Sequence, residues 1–513
     1  RPEAAATNAA MQRGDPMKRR DFNLNLLRIT GAGSLLGIAG EALAKAAPAM
    51  AVPSPGAAGT FGSAAPASSD PRLEGSYRFS RGLWNYVHLQ GTPAEVGFQH
   101  GYLLAPEIAD AFKAVSFTNC RGTGKDRAFF EKAATEMLWP KVYPEYQEEI
   151  EGIYKGLQAR GVRDMNLADV IWLNAMEELS DYYVPWYDKQ HRAPVAPGSK
   201  GHCSAFVATG SMTKNHQIVM AHNCWTSYMH GERWNVIFDI APKSGYRILM
   251  DGFPGIIISD DDFGINTAGF MVTETTINSF HGWNPDGKPE FARARKAMQY
   301  ATSIDEFVKI MLDENNGGYA NDWLLGDRKT NEIAQFELGL KAHKLWRSKD
   351  GYYFGSNFVS DPKVLTEDTT FDPNDLSTSP NARRVRWEQL MKQYKGQIDV
   401  GLGKQFLADH YDTYEKKEQP GLRTLCGHGD LTPYRDNAFD TKPYDPMGAI
   451  QGKVTDSAMT GQMRFAARRG HPCGGDFRVE PFLKAHPEFA WQSPLLRDMI
   501  AGPWTDFKAD DRA

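Results

Sequence analysis

A chain of 513 residues, 41% hydrophobic and 12% aromatic, has the apolar content of a large globular protein with a real core, which excludes a disordered tail or a coiled coil. Its 58 lysines and arginines nearly balance 63 acidic residues, and a formal net charge of −5 excludes the basic footprint of a nucleic-acid binder. No stretch offers the roughly 20 clean apolar residues of a stable membrane span, since the longest apolar run is broken by Arg28, several glycines and Glu41.

Residues 17–51 have the layout of a targeting peptide. Lys18-Arg19-Arg20-Asp21-Phe22 sets paired arginines before a mildly apolar run at 24–43, and Ala42-Leu43-Ala44 or Ala49-Met50-Ala51 supplies a small-residue cleavage site. The Arg-Arg-x-Phe order and the weak, glycine-containing apolar run resemble a bacterial twin-arginine signal, so residues 1–51 are expected to be an extension plus export signal, with the product periplasmic or secreted. A basic amphipathic helix is the alternative. Residues 52–72 are rich in Ala, Ser, Gly and Pro and read as a linker.

The chain from 73 to 202 is expected to be mainly helical. Residues 129–138 and 145–157 carry apolar side chains at helical spacing, with Pro140 breaking the first and Gly161 following the second. Asn166 with Asp169 has the form of an N-cap before the apolar 170–175. Between 185 and 201 the composition turns polar and Pro/Gly-rich, as in a loop. Short β-branched and aromatic runs follow at 204–209, 218–222, 234–240, 246–250 and 269–276. Helices return at 291–300 and from Ser303, where Ser303 and Glu306 have capping-box spacing, and strands are expected again at 323–326 and 332–338. Strands in blocks and helices in blocks point to α+β layers.

Five cysteines, at 120, 203, 224, 426 and 473, leave one odd thiol if the others pair in an oxidising compartment. Cys426-Gly427-His428 and His471-Pro472-Cys473 mirror one another. They read as a structural disulfide or free thiols ahead of a zinc site, because C-x-H…H-x-C is not a standard zinc spacing.

His202-Cys203-Ser204 stands where the polar loop meets the first strand of the β-rich region. A cut before Cys203 would set a new α-amino group, with an unperturbed pKa of roughly 7.7–8.0, beside its thiol, so that one residue supplies both nucleophile and base. Read alone, the residue is a buried cysteine at a strand start ahead of a nucleophile.

Longer segments decide the reading. Cys203-Ser204-Ala205-Phe206-Val207 and Val219-Met220-Ala221-His222-Asn223-Cys224-Trp225-Thr226-Ser227-Tyr228 resemble the nucleophile region of phospholipase B-like proteins. Phe253-Pro254-Gly255, Ser259-Asp260-Asp261-Asp262-Phe263, Thr273-Glu274-Thr275-Thr276-Ile277-Asn278 and Asn321-Asp322-Trp323-Leu324-Leu325-Gly326-Asp327 follow in the order that family shows. Gly448-Ala449-Ile450, Lys453-Val454-Thr455 and Phe489-Ala490-Trp491 resemble its closing motifs. Gly91-Thr92-Pro93-Ala94-Glu95-Val96-Gly97 with His100-Gly101 resembles the opening of the wider penicillin acyltransferase-like (peptidase C45-like) group.

The resemblance implies an αββα four-layer sandwich of the N-terminal-nucleophile (Ntn) hydrolase type, with two stacked antiparallel sheets covered by helices and an autocatalytic cut before the nucleophile. The catalytic part would then be residues 203–513, with 73–202 as a propeptide or light chain in the same fold unit. Carried over residue by residue, Cys203 is the nucleophile, and His222 orients it or binds substrate. Asn321 offers its side-chain N–H to the oxyanion together with a backbone N–H near Thr273, and losing one such donor costs about 10²–10³ in rate. Arg383 and Arg386, at helical spacing before Trp387, are candidates for an electrostatic clamp, their default reading being solvated helix arginines. The acidic run 260–262 lacks calcium-loop spacing and reads as a solvated turn.

Two positions depart from relatives. Trp225 stands where distant amidases of this type carry aspartate, and His202 stands where glycine or serine often precedes the cut. The chemistry needs no cofactor and no metal. The expected partner is a small-molecule amide or lipid substrate. The alternatives are a phospholipase B-like ester deacylase and an uncleaved binding protein of the same fold. The sequence carries no G-x-S-x-G, H-E-x-x-H or P-loop motif.

Overall fold

The computed structural model describes residues 70–192, 203–260 and 263–513. The export-type segment, nearly all of the linker, His202, Asp261 and Asp262 lie outside the described residues.

In chain order the strands are β1 Tyr77–Arg81, β2 Trp84–Gly91, β3 Ser204–Thr209, β4 Val219–Ser227, β5 Val236–Pro242, β6 Ile248–Gly252, β7 Gly264–Asn266, β8 Phe270–Thr276 and β9 Asn321–Asp327. They continue as β10 Glu332–Leu338, β11 His343–Ser348, β12 Gly351–Gly355, β13 Tyr411–Asp412, β14 Lys417–Glu418, β15 Met447–Asp456, β16 Arg464–Arg469 and β17 Thr505–Lys508. Nine form one sheet in the order β1-β2-β5-β6-β7-β8-β9-β10-β11, and six form a second in the order β12-β3-β4-β15-β16-β17. Strand pairing is antiparallel except between β2 and β5. Those two run parallel because the chain between them makes a long excursion through the N-terminal helices and the start of the second sheet, and a parallel pair requires such a crossover.

Alternation along the strands builds the layers. Ala205, Val207, Met220 and Phe465 from the second sheet meet Tyr86, Ile237, Leu249, Ile265, Met271 and Leu324 from the first, making the core between the sheets. The intervening residues Phe206, Ala208, Val219, Ala221 and Val454 point the other way, onto Trp387, Leu390, Phe406 and Leu407 of helices Ser379–Gln393 and Val400–Leu407. On the far side of the first sheet, Val87, Leu89, Phe238 and Val272 pack against helices that include Ala105–Thr123, Pro144–Ala159 and Glu290–Tyr300. The order helix, sheet, sheet, helix is the expected α+β sandwich.

The segment expected to be mainly helical also holds β1 and β2. Their alternation is masked because Trp84, Tyr86, Val87 and Leu89 are buried on both faces of a covered strand. Helix Pro93–Leu103 starts at a capping box between Thr92 and Glu95, inside the opening motif. Gly97 and Gly101 of this helix lie against helix Pro144–Ala159 so closely that an added Cβ would sit 1.8 Å and 2.0 Å from the Glu149 and Ile153 carbonyl oxygens. His100 Nε2 accepts the Gly255 backbone N–H at 3.0 Å, and burial pulls its pKa down to about 3, so it stays the neutral acceptor this bond requires. Two separate motifs are thereby tied together structurally. At Ser303 the expected capping box is half formed: the Ser303 hydroxyl accepts from Glu306 N, but the Glu306 carboxylate turns to Thr302.

Candidate active site

Cys203 immediately precedes β3 and is 3% exposed. On the next strand His222 is the register partner of Ala205, and on β15 Lys453 and Gln451 face His222 and Cys224. Because side chains alternate, His222 and Cys224 share the face of Met220, which points between the sheets. The Cys203 Sγ, a His222 ring nitrogen and a Glu274 carboxylate oxygen lie within 4.8 Å of one another. Burial pushes the Cys203 thiol up, but the Cys224 thiol, the His222 imidazole and the Trp225 backbone together pull it well below the ordinary cysteine value. The thiolate is the nucleophilic form, so this environment favours the reactive species.

The backbone of Cys203 is clamped. Its N–H donates to Asn357 Oδ1 at 3.1 Å, and its carbonyl accepts from Arg383 Nη1 at 2.6 Å. Arg383 also donates to Ser204 Oγ at 2.8 Å, Ser379 Oγ at 2.9 Å and Asn357 Oδ1 at 2.9 Å, while its guanidinium lies 4.3 Å from the Trp225 ring. The solvated-helix reading fails for this residue, which is fully buried because helix Ser379–Gln393 enters the core at its N-terminal end. Burial pulls its pKa down to about 9, with Asp436 and Cys203 opposing. Arg386, one helical turn on, leaves the site and pairs with Asp409 at 2.6 Å.

Acidic groups line the other side. Glu274 accepts from the Tyr319 hydroxyl at 3.3 Å, and Tyr319 also donates to the Asp260 carbonyl at 2.8 Å. Asp260 is buried, with φ at +67°, so at that position the solvated-turn reading is overturned: the turn folds inward under Tyr319. Glu177, half-buried, is raised well above the carboxylate range by burial, with the charges of Asp260, Asp181 and Cys203 adding to it.

Asn321 opens β9, opposite Thr276 on β8 and Leu338 on β10. It is fully buried, and among the described residues neither its side-chain polar atoms nor the buried Thr273 hydroxyl on β8 has a hydrogen-bond partner. Orphaned groups of this kind are uncommon in a folded core and mark places where a further polar group is accommodated. Asn321 connects to Cys203 through its register partner, since the Thr276 carbonyl accepts from Asn357 Nδ2 at 2.8 Å and Asn357 Oδ1 accepts the Cys203 N–H. Of the residues singled out in the sequence, Cys203, His222 and Arg383 form one connected cluster, and Asn321 and Thr273 sit on strands stacked against β3.

Sequence reasoning gave no role to Cys224, Glu274, Tyr319 or Asn357. Cys224 was detectable as the residue two beyond His222 on the same strand face. Asn357 comes from a turn with φ at +69° after β12, and no pattern announces it. Cys426 and Cys473 come together with both thiols free.

The phospholipase B family model matches residues 111–348, a shorter span than the motifs at Gly91 and Phe489 would bracket. Putative phospholipase B-like 1 of Caenorhabditis elegans is 30% identical over 333 residues, covering 58% of this chain and 57% of that one. Phospholipase B-like 1 of Homo sapiens is 27% identical over 270 residues, covering 45% and 47%. The matches thus span about half the length of these relatives. Among solved structures, a variant of the conjugated bile acid hydrolase from Clostridium perfringens aligns with 52% of this chain and 88% of its own at 9% identity and a TM-score of 0.30, a likeness too slight to carry an argument. The matched residues 111–348 take in Cys203, His222, Thr273 and Asn321, and over that span the chain is similar to the phospholipase B family.

Proposed function

We propose that the protein is a cysteine-type Ntn hydrolase that cleaves an amide bond through an acyl-thioester at Cys203, after the chain has been cut before that residue. The observation that carries this reading is the depressed Cys203 thiol, buried with His222, Cys224 and Glu274 while its own backbone is held from both sides.

In the maturation step Sγ attacks the His202 carbonyl carbon, the His202–Cys203 peptide bond gives way to a thioester, and water releases the acyl group. The freed α-amine then occupies the place of the present N–H, 3.1 Å from Asn357 Oδ1, an oxygen that also accepts from Arg383. Burial and a nearby cation both favour a neutral amine, which is the form a base requires. In turnover Sγ attacks the substrate carbonyl and the C–N bond breaks. The leaving nitrogen takes the proton that the α-amine holds, and water then hydrolyses the thioester. Asn321 Nδ2, with a backbone N–H near Thr273, would face the oxyanion; that the Asn321 and Thr273 side chains have no partner among the described residues supports this assignment. Arg383 is a positioning residue, since it touches the backbone of Cys203.

The family name favours a second substrate class, a phospholipid ester, which the same thioester route would serve. Residues 73–202 would be the light part and 203–513 the catalytic part. The paired arginines ahead of a weak apolar run support export by the twin-arginine route. Among the described residues no helix is long and apolar enough to cross a membrane.

Intact mass and N-terminal sequencing of the purified protein, beside Cys203→Ala, test the reading. Two fragments in the parent, one beginning at Cys203, and a single chain in the variant are expected. A parent chain that stays whole at mildly acidic and neutral pH would remove the free-amine base and with it this mechanism.

A further inference from the structure

Far along the chain from the nucleophile, four side chains of metal-binding type converge. His410 follows helix Val400–Leu407, Cys426 and His428 lie in the loop before β15, and Cys473 lies just beyond β16. One donor atom from each falls within 4.8 Å of the other three. His428 Nε2 is 3.3 Å from His410 Nε2, 3.6 Å from Cys426 Sγ and 3.5 Å from Cys473 Sγ.

These separations are those of a tetrahedron around one ion. With zinc bonds of about 2.3 Å to sulfur and 2.0–2.1 Å to nitrogen, tetrahedral angles require roughly 3.3 Å between nitrogens and roughly 3.5–3.6 Å from nitrogen to sulfur. Hydrogen bonding cannot explain the same arrangement. His428 Nε2 carries at most one proton and can donate it to one of three neighbours, whereas a cation satisfies all four donors together. We propose that His410, Cys426, His428 and Cys473 bind one structural zinc(II) ion, a site independent of the function assigned above. A closed set of two nitrogens and two sulfurs suits zinc, and the compactness of the group leaves room for a single ion and none for a two-iron cluster.

The surroundings agree. Asp430 Oδ1 lies 4.0 Å from His428 Nδ1, the ring nitrogen turned away from the cluster, and is held by the Tyr228 hydroxyl at 2.7 Å. At 4.0 Å the carboxylate acts on the ring through its charge and not through a hydrogen bond, on the side where ligating histidines have their outer neighbours. Gly475 N–H donates to Cys473 Sγ at 3.4 Å, a bond that stabilises a thiolate. Cys426 and His428 are buried, while His410 and Cys473 are partly exposed and leave a route for the ion. His471, which the sequence pairs with Cys473, stands outside the quartet and packs its ring 4.0 Å from that of His428.

The ion would fasten three segments behind the nucleophile. Gly427, between two of the ligands, lies against the Trp225 ring, and Trp225 covers Arg383. Elemental analysis of the full chain should find one zinc per protein. After chelation, cobalt(II) should restore one equivalent with the thiolate charge-transfer and ligand-field bands of a tetrahedral site. Cys473→Ser and His410→Ala, both at the exposed edge, should lower zinc affinity at least tenfold, whereas Cys203→Ala should keep full stoichiometry. The proposal is overturned if the parent binds no zinc supplied as the free ion, or if its intact mass is lighter by two hydrogens from a Cys426–Cys473 disulfide. Zinc retained with unchanged affinity in both edge variants would overturn it as well.

Discussion

The two cysteine–histidine clusters of this molecule use the same residue types for opposite ends. At Cys203 one thiol, one imidazole and a carboxylate meet within 4.8 Å, beside a second thiol, Tyr319 and two further carboxylates. At His428 two thiols and two imidazoles point at one another, and the Asp430 carboxylate stands behind the ring. The first arrangement sets unequal neighbours around one sulfur and shifts where its proton resides. The second presents four equivalent donors and suits an ion that stays. The two clusters are equally compact and differ in their make-up, three unlike groups with further acids around one sulfur against two thiols and two imidazoles.

The largest effect should come from breaking the frame on the reactive side. Arg383→Leu removes a buried guanidinium bonded to Cys203, Ser204, Ser356, Ser379 and Asn357 and orphans those acceptors. A loss of roughly 3–5 kcal/mol is expected, together with failure to cut before Cys203, read by denaturant unfolding and intact mass. Zinc content per folded molecule should be unchanged. If the variant matures normally, the backbone clamp has no part in presenting the nucleophile.

Asn321→Ala should separate catalysis from stability. The amide has no partner to lose among the described residues, so thermal stability should hold or rise, whereas turnover of an amide substrate should fall by about 10²–10³ through lost oxyanion stabilisation. A drop in stability with unchanged turnover of matured enzyme would make Asn321 a structural residue.

The unequal legibility of the two clusters has a physical origin. Cys203 immediately precedes β3 and His222 lies on β4, the next strand in both chain and sheet, where a period of two carries spatial information along the sequence. The strand positions at Ser204–Thr209 and Glu332–Leu338 were legible for the same reason. The zinc quartet spans three loops whose approach depends on the register of β15 against β4 and β16, and the spacing from His410 to Cys473 records none of that. Thus the sequence favoured a Cys426–Cys473 disulfide or free thiols, and nothing in it brought in His410, which the structure sets beside both free cysteines. Asn357 and the buried state of Arg383 were hidden likewise, because helix Ser379–Gln393 has charged residues around much of its circumference and its burial comes from where it starts.

Gly427→Ala tests whether the clusters are coupled. An added Cβ would sit 2.2 Å from the Trp225 ring, so either the ring or the ligand loop must move. Overpacking of this kind costs about 1–3 kcal/mol, and zinc affinity and the rate of self-cleavage should fall together. A variant that loses one property and keeps the other would show that the two regions share a wall without sharing a mechanism.

The smallest effect concerns the strands that carry Asn321. Glu337 on β10 faces Asp322 on β9 in register, and both are buried. Burial, with Asp361 adding to it, raises the Glu337 carboxyl to about 7 against the opposing pull of the Asp361 and Ser360 backbone N–H groups, and Asp322 is raised by burial and by Glu337. Near and below the ordinary glutamate value the carboxyl is protonated in folded and unfolded chains alike. As pH climbs from there to about 7, the unfolded chain releases its proton first and the folded one holds it, so stability falls across that window. Asp239 behaves oppositely: held down to about 2 against its own burial by His88 and Arg247, it contributes stability above the ordinary aspartate range that is lost only as pH drops toward 2. The melting temperature should therefore be higher near pH 5 than near pH 7 by a few degrees, on the order of 1–2 kcal/mol. Glu337→Gln should flatten that slope and leave the zinc site untouched. If the slope survives the substitution, the pH response belongs to another group, and the acidic wall of Glu177, Asp260 and Glu274 beside Cys203 becomes the place to look.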